Sequence, residues 1–195
     1  MVLLNQSDEK ISLEDYLQGE LKSDIKHEYI HGYVYAMTGA SVNHNRLTTN
    51  ISRQFGNHLD GKDCEVFSND MKIKLNNEYR YPDVMVVCDN KFTDGGYSTQ
   101  TPILIVEVLS KSTRKIDTTD KVFSYLNIPS LHEYVLIEQD IAVVEVMRKS
   151  QGWQSRRYYL GDQITFESIG LSLSIEEIYS RVENEDVREY SESLK

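Results

Sequence analysis

Cysteine and tryptophan are rare in this sequence, which contains two Cys residues, one Trp and only three Pro among its 195 residues. Cys64 and Cys88 stand far apart, show no metal-ligand spacing, and fall in segments that have the pattern of strands. They therefore predict neither a disulfide framework nor a zinc site. Such sparse use of cysteine is typical of a reducing compartment, and we predict a cytoplasmic protein.

Long apolar runs are also missing. No stretch approaches the roughly 20 apolar residues that a helix needs to span a bilayer. The N-terminal stretch MVLLNQSDEKISLEDYL has no basic segment followed by an apolar one, which is the pattern of a secretion signal. The sequence therefore predicts neither secretion nor a membrane partner.

Basic residues are fewer than acidic ones, with 21 Lys and Arg against 31 Asp and Glu, which gives a formal net charge of −10. This balance argues against broad affinity for nucleic acid, because phosphate binding is driven by Lys and Arg side chains that displace counterions. Part of the acidity lies in residues 176–195, which we predict to form an acidic, helical tail.

The chain is long enough for one sizeable core, so we predict a single domain over residues 1–195. Apolar residues at a spacing of about four over residues 41–59 predict the major helix. Residues 102–110, PILIVEVLS, are almost continuously apolar, as expected for a strand covered on both faces of a sheet. A helical run that closes before Pro129, with strand-like runs on both sides, completes the pattern of an α/β fold with a central mixed sheet flanked by helices.

Two acidic residues interrupt apolar segments: Asp83 precedes VMVV, and Glu107 stands inside ILIVEVL. Each has an ordinary interpretation when taken alone, because an Asp after Pro is often a turn residue and a strand Glu can face water at a sheet edge. A buried lone carboxylate, however, is costly unless it is paired, protonated or bound to a cation. If adjacent strands bring the two carboxylates together, their hard oxygen atoms suit Mg²⁺ or Mn²⁺.

A metal-assisted attack on a phosphate ester also needs a positive group, which orients the attacking water or stabilises the phosphate oxygens. Lys121 lies one short helix beyond Glu107, so a helix packed back on that strand returns its ammonium group to the same place. Taken alone, a lysine is usually a surface residue. We predict Lys121 as the basic partner of the two acids.

Two stretches together resemble a known family: PDVMVV, and PILIVEVLSKSTRKIDTTDKVFSYLNIPSLHEYVLIE. They are similar to the Uma2 family (DUF820) of restriction endonuclease-like proteins, within the PD-(D/E)XK nuclease superfamily. The resemblance extends back to HEYIHGYVYAMTGASVNHNRL and covers most of residues 26–147. It implies a restriction-endonuclease-like fold with an αβββαβ core over about residues 26–147 and extra C-terminal strands.

The resemblance also implies a function. Asp83 and Glu107 would be the metal-binding acids and Lys121 the catalytic lysine of an endonuclease that hydrolyses DNA with Mg²⁺, or with Mn²⁺ in its place. The usual lysine of the superfamily follows the acidic residue by two positions, where this sequence has Leu109. A homodimer is expected, because many nucleases cut the two DNA strands with two subunits.

Five further residues join the prediction. By the same resemblance, Glu28 and His44 are accessory candidates, as a further carboxylate and as a phosphate or ligand contact. Their ordinary interpretations are a surface acid and a histidine that makes a local hydrogen bond at a helix start. Lys111, Arg114 and Lys115 follow the Glu107 strand and are predicted to bind phosphate locally, or else to form a solvated loop.

Other functions stay open at this point. The acidic composition and the displaced lysine fit a catalytically silent nuclease-fold module with a binding or regulatory role. The 13 tyrosines fit half-buried strands of a homo-oligomeric interaction protein. No phosphate-cradling glycine loop, GxSxG elbow or Cys/His pairing occurs, which weighs against an NTPase, a serine hydrolase and a thiol enzyme.

Overall fold

The computed structural model describes residues 3–5, 9–37, 39–110 and 120–195 of the chain. The α-helices within these residues are α1 (Leu13–Glu20), α2 (Val42–Leu59), α3 (Asp120–Leu126), α4 (Ile175–Ile178) and α5 (Glu185–Ser193). The strands are β1 (Leu3–Asn5), β2 (His27–Ile30), β3 (Tyr33–Met37), β4 (Glu65–Ser68), β5 (Lys72–Leu75), β6 (Glu78–Arg80), β7 (Val84–Val87), β8 (Phe92–Thr93), β9 (Ser98–Thr99), β10 (Pro102–Leu109), β11 (Glu133–Glu138), β12 (Val143–Arg148), β13 (Ser155–Tyr159), β14 (Gln163–Phe166) and β15 (Leu171–Ser174).

The central sheet has six strands in the order β13-β12-β11-β10-β7-β4. Strand β10 lies inside it and pairs parallel with β11 and antiparallel with β7, so the sheet is mixed. In chain order, α2, β4, β7, β10, α3 and β11 form the αβββαβ core, and β12 and β13 extend the sheet. The predicted α/β class, with a mixed sheet and extra C-terminal strands, is confirmed.

Strand β10 is covered on both faces, as its apolar sequence predicts. Leu104, Val106 and Val108 belong to the core cluster that includes the apolar stripe of α2. Ile105 and Leu109 belong to the cluster on the other face, which includes side chains of α3. Each buried aliphatic side chain contributes roughly 1.5–3 kcal/mol relative to exposure. This burial holds the middle of the sheet rigid, so that a polar side chain placed there has a fixed position.

Helix α2 begins and ends close to the prediction of residues 41–59. Ser41 is its N-cap and accepts a hydrogen bond from the backbone N–H of His44, which satisfies one of the unpaired donors of the first turn. Leu47, Ile51 and Phe55 follow at a four-residue spacing and are fully buried. The cap and the buried stripe together fix the rotation of the helix and so the direction of His44.

A second sheet, in the order β1-β3-β2-β6-β5-β9-β8, carries other polar residues toward the central sheet. Strands β2 and β3 form a hairpin whose two loop residues, His31 and Gly32, both have positive φ, as in a type I′ turn. Tyr16, Tyr29 and Tyr79 pack together and anchor α1 on this sheet. The anchored hairpin holds β2 and β6 in fixed positions.

The prediction that the two cysteines are unpaired is wrong, because Cys64 and Cys88 form a disulfide. Strands β4 and β7 are antiparallel neighbours with Glu65 opposite Val87, so the next residues outward, Cys64 and Cys88, face each other. This pairing depends on which strands become neighbours, which cysteine spacing alone does not reveal. The cytoplasmic location, which was inferred partly from the cysteines, stays a prediction.

Reduction of this disulfide should destabilise the protein. The two cysteines are 24 residues apart, and closing a loop of that size stabilises a fold by about 3 kcal/mol through the unfolded state. We expect the free energy of unfolding measured in urea to fall by about that amount in a reducing agent, and a Cys64→Ser/Cys88→Ser variant to match the reduced protein. The disulfide would be refuted if reduction left urea unfolding unchanged and both thiols reacted with an alkylating agent before reduction.

The acidic C-terminal segment contains two helices, α4 and α5. Ile175 and Ile178 of α4 are fully buried in the core, whereas α5 has no buried residue. None of the helices in the described part of the chain combines the length and the apolar composition needed to cross a membrane.

Candidate active site

The structure places the two predicted acids side by side at one end of the central sheet. Val84 of β7 pairs with Val106 of β10, so the antiparallel register sets Asp83 opposite Glu107. Oδ2 of Asp83 also accepts a hydrogen bond of 2.8 Å from the backbone N–H of Val108. Both side chains are buried, with Asp83 4% and Glu107 2% exposed.

His44 reaches Asp83 from the first turn of α2. Its Nε2 lies 3.3 Å from Oδ2 of Asp83, and the hydroxyl of Thr48 lies 3.5 Å from its Nδ1. Burial acts to raise the pKa of Asp83, but the hydrogen bond from His44, the charge of Lys121 and the N–H of Val108 outweigh it, so that this pKa lies below its usual value. Asp83 is therefore a carboxylate at neutral pH and keeps its negative charge for a cation.

Lys121, at the start of α3, is buried and points back to the sheet. Its Nζ lies 3.1 Å from Oε1 of Glu107 and 3.5 Å from Oε1 of Glu28. One helical turn later, the hydroxyl of Tyr125 donates a hydrogen bond of 3.1 Å to the same Oε1 of Glu107. The ammonium group therefore joins two carboxylates that come from different sheets.

Glu28 comes from β2 and is fully buried. Its Oε1 accepts a hydrogen bond of 3.2 Å from the backbone N–H of Tyr81. Its Oε2 has no hydrogen-bond partner in the described part of the chain. Nη1 of Arg80, which also has none there, lies 4.0 Å from it.

The five residues predicted as catalytic or accessory thus form one buried cluster: Glu28, His44, Asp83, Glu107 and Lys121. The three predicted phosphate-binding residues, Lys111, Arg114 and Lys115, lie outside the described residues.

Sequence analysis missed two members of the cluster, Arg80 and Tyr125. Tyr125 had a signal, because it follows Lys121 by four residues on the same face of a helix. Arg80 had none, because an arginine near a strand end ordinarily reads as an exposed residue. Only the pairing of β2 with β6 brings Arg80 next to Glu28.

Comparison with known proteins assigns the chain to a family. The family model of Uma2, described as "Putative restriction endonuclease", matches residues 13–176. The chain belongs to the Uma2 family. Two uncharacterized proteins of Synechocystis sp. are similar to it. The protein slr1290 is 38% identical over 87% of this chain and 92% of its own length. The protein sll1609 is 41% identical over 71% of this chain and 81% of its own length.

A solved structure shares the fold. A crystal structure of a "putative nuclease belonging to DUF820" from Anabaena variabilis superimposes with a TM-score of 0.70 and 18% identity, and covers 84% of this chain and 97% of its own. At that identity the likeness concerns the fold alone, and the family match is what supports a nuclease-like function.

A cleft leads to the cluster of this Uma2 protein. It has a volume of about 390 Å³, and both His44 and Asp83 line it. Lys26 and Asp70 stand at the cleft as an ion pair, and both are exposed. A larger cavity of about 530 Å³ lies around Glu78 and contains none of the five predicted site residues. The smaller cleft therefore gives access to Asp83.

Nucleases of this kind generally use a divalent metal ion. The described residues contain no group of three or more His, Cys, Asp and Glu side chains that could hold a metal ion. Mg²⁺, however, is usually held by one or two carboxylates, with waters and substrate phosphate completing its shell. Asp83 and Glu107 supply two hard carboxylates on facing strands. The donor chemistry therefore fits Mg²⁺ or Mn²⁺.

Proposed function

We propose that this protein is a Mg²⁺-dependent endonuclease that hydrolyses phosphodiester bonds of DNA. The observation that carries the proposal is that Asp83 and Glu107 are buried opposite each other at the end of the central sheet of a Uma2 chain, with Lys121 in contact with Glu107. Buried charges are costly to maintain, and their conjunction at a cleft is typical of catalytic sites.

Asp83 and Glu107 would hold the metal ion. When bound, Mg²⁺ would supply a positive charge for the scissile phosphate and lower the pKa of a water molecule. The protein's own residues keep these two ligands in place: His44 and the N–H of Val108 orient Asp83, and Tyr125 orients Glu107. Mn²⁺ is expected to replace Mg²⁺, since both prefer oxygen ligands.

Lys121 would stabilise the negative charge that builds up on the phosphate during attack by water. Its ammonium group is held between Glu107 and Glu28, so it does not have to reorganise when the substrate arrives. Hydrolysis forms a bond from the water oxygen to phosphorus and breaks one bond from phosphorus to a sugar oxygen, which then takes a proton. Glu28 serves by holding Lys121 in this position.

The direct test is a cleavage assay with supercoiled plasmid and single-stranded circular DNA. We expect nicking or linearisation with Mg²⁺ or Mn²⁺ and none with EDTA. A folded protein that binds DNA but cuts neither substrate with any divalent ion would refute the proposal and favour the silent binding module. A protein that neither binds nor cuts, but assembles through its strands, would favour the interaction protein.

A homodimer would give such an enzyme one active site for each strand of duplex DNA. Light scattering coupled to gel filtration should then give twice the chain mass of 22.6 kDa for the free protein, and that mass plus the mass of the DNA for the complex. Duplex cleavage by a species that stays monomeric on DNA would contradict this part of the proposal.

Lys26 and Asp70 at the cleft should have opposite effects on DNA affinity. Lys26 is free to bind phosphate once it leaves Asp70, and Asp70 repels phosphate. We expect Lys26→Gln to weaken DNA binding roughly 3- to 10-fold in low salt and to reduce the salt slope by about 1, and Asp70→Asn to strengthen binding.

The matched control for this prediction is the exposed pair of Lys91 and Asp89, which lies away from the cleft. Lys91→Gln and Asp89→Asn should leave the affinity unchanged in a fluorescence anisotropy titration. Equal changes in DNA affinity for the variants of the two pairs would show that binding depends on the net charge of the protein and not on the cleft.

A further inference from the structure

Arg80 is a buried cation that none of the roles above uses. It is 1% exposed. Its Nε and Nη2 both contact Oε2 of Glu78 at 2.8 Å. Glu78 is itself held by the hydroxyl of Ser124 at 3.2 Å and by His31 at 2.8 Å. One side of the guanidinium group is therefore anchored to a fixed carboxylate.

The other side of the guanidinium group faces the catalytic cluster. Nη1 of Arg80 and Oε2 of Glu28 lie 4.0 Å apart, both buried and both without a hydrogen-bond partner in the described residues. A buried polar atom without a partner is destabilising, so a buried donor and a buried acceptor that face each other favour an interaction between them. Their opposite charges attract each other at this distance.

The charges around the cluster show why a second cation is needed. Four carboxylates are buried in this region, on Glu28, Glu78, Asp83 and Glu107. Burial acts against the charge of Arg80, but Glu28, Tyr125 and Glu78 outweigh it, so that its pKa lies above the usual value. Without Arg80, the cation on Lys121 would have to neutralise Glu28 and Glu107 together.

We propose that Arg80 is a positioning residue of the active site, which fixes the carboxylate of Glu28 and through it the ammonium group of Lys121. This inference rests on the proposed function, since it assigns a role within the same site. The route has three steps: Glu78 anchors Arg80, Arg80 holds Oε2 of Glu28, and Oε1 of Glu28 contacts Nζ of Lys121.

The test compares Arg80→Lys and Arg80→Ala with the same changes at Arg148. Arg148 is the matched control, because it is a buried arginine paired with a buried glutamate, Glu133, away from the cluster. We expect kcat for DNA cleavage to fall about 100-fold in both Arg80 variants with little change in KM, because a displaced catalytic group costs about this factor. Guanidinium ion should restore part of the rate of Arg80→Ala. The Arg148 variants should lose stability but keep kcat.

A second comparison tests the route through Glu28. In a Glu28→Gln background, Arg80→Lys should cause little further loss of kcat, because residues that act as one unit are not additive. If the losses of kcat from Glu28→Gln and Arg80→Lys were fully additive, the route through Glu28 would be contradicted. If Arg80→Ala does not fold, the measurement of kcat in Arg80→Lys serves as the test, because this variant retains the positive charge. Wild-type kcat in Arg80→Lys, or an equal loss in Arg148→Lys, would overturn the inference.

A readout independent of cleavage separates this inference from the proposed function. The ammonium group of Lys121 should give a ¹H–¹⁵N NMR signal that is protected from exchange with water. Its loss in Lys121→Arg assigns the signal. The signal should be lost or shifted in Arg80→Lys and unchanged in Arg148→Lys. If the wild type cuts no DNA but this pattern holds, the proposed function fails and the positioning role of Arg80 stands. If the signal is the same in all variants, the positioning role fails whether or not the protein is a nuclease.

Discussion

Glu107→Gln is expected to lower the rate of Mg²⁺-dependent DNA cleavage by about 10³-fold while the protein stays folded. Glutamine keeps the volume of the side chain and an acceptor for Lys121 and Tyr125, but it loses the negative charge that holds the metal ion. Asp83→Asn should have an effect of similar size, because Asp83 faces Glu107 across the two strands. The measurement is the initial rate of plasmid nicking at saturating Mg²⁺.

Glu133→Gln is the control for this prediction. Glu133 is a buried carboxylate on the neighbouring strand β11, where it pairs with Arg148 and not with the cluster. We expect it to change stability and to leave the cleavage rate of the folded protein unchanged. Cleavage by Glu107→Gln at the wild-type rate would remove this residue from the mechanism.

Lys121→Met should have the second large effect, on both activity and stability. It leaves Glu28 and Glu107 without their shared buried cation, and breaking a buried ion pair typically costs about 3–5 kcal/mol. The cleavage rate should fall by about 10²- to 10³-fold, which is the loss typical of removing one group that stabilises charge in the transition state.

A double-variant cycle checks this prediction. Adding Glu107→Gln to Lys121→Met should recover part of the lost stability, because it removes a carboxylate that the first change left uncompensated. Urea unfolding of the wild type, both single variants and the double variant measures the coupling. Strict additivity of the two free-energy changes would show that the contact between Lys121 and Glu107 contributes nothing.

Elements with strong local patterns could be predicted from the sequence. The four-residue spacing of apolar side chains located α2, and the unbroken apolar run located β10 in the middle of the sheet. For the same reason, Glu107 was recognisable, since one charge within such a run needs a partner. Lys121 was placed by the expectation that a helix after β10 packs back on the strand, which α3 does.

Features that depend on which strands become neighbours could not be predicted. Cys64 and Cys88 pair because β4 lies beside β7, and Arg80 meets Glu28 because β6 lies beside β2. No local sequence pattern predicts either of these strand pairings. Glu28 itself entered only through a family resemblance, because a glutamate in a hairpin usually faces water.

Calorimetric titration of Mn²⁺ tests the central claim most directly, because the proposed mechanism requires that Asp83 and Glu107 bind the metal ion. We expect the wild type and Glu133→Gln to bind Mn²⁺ alike, and Asp83→Asn and Glu107→Gln each to lose that binding. Equal binding by all four proteins, or none by the wild type with DNA present, would contradict a metal site at these two carboxylates.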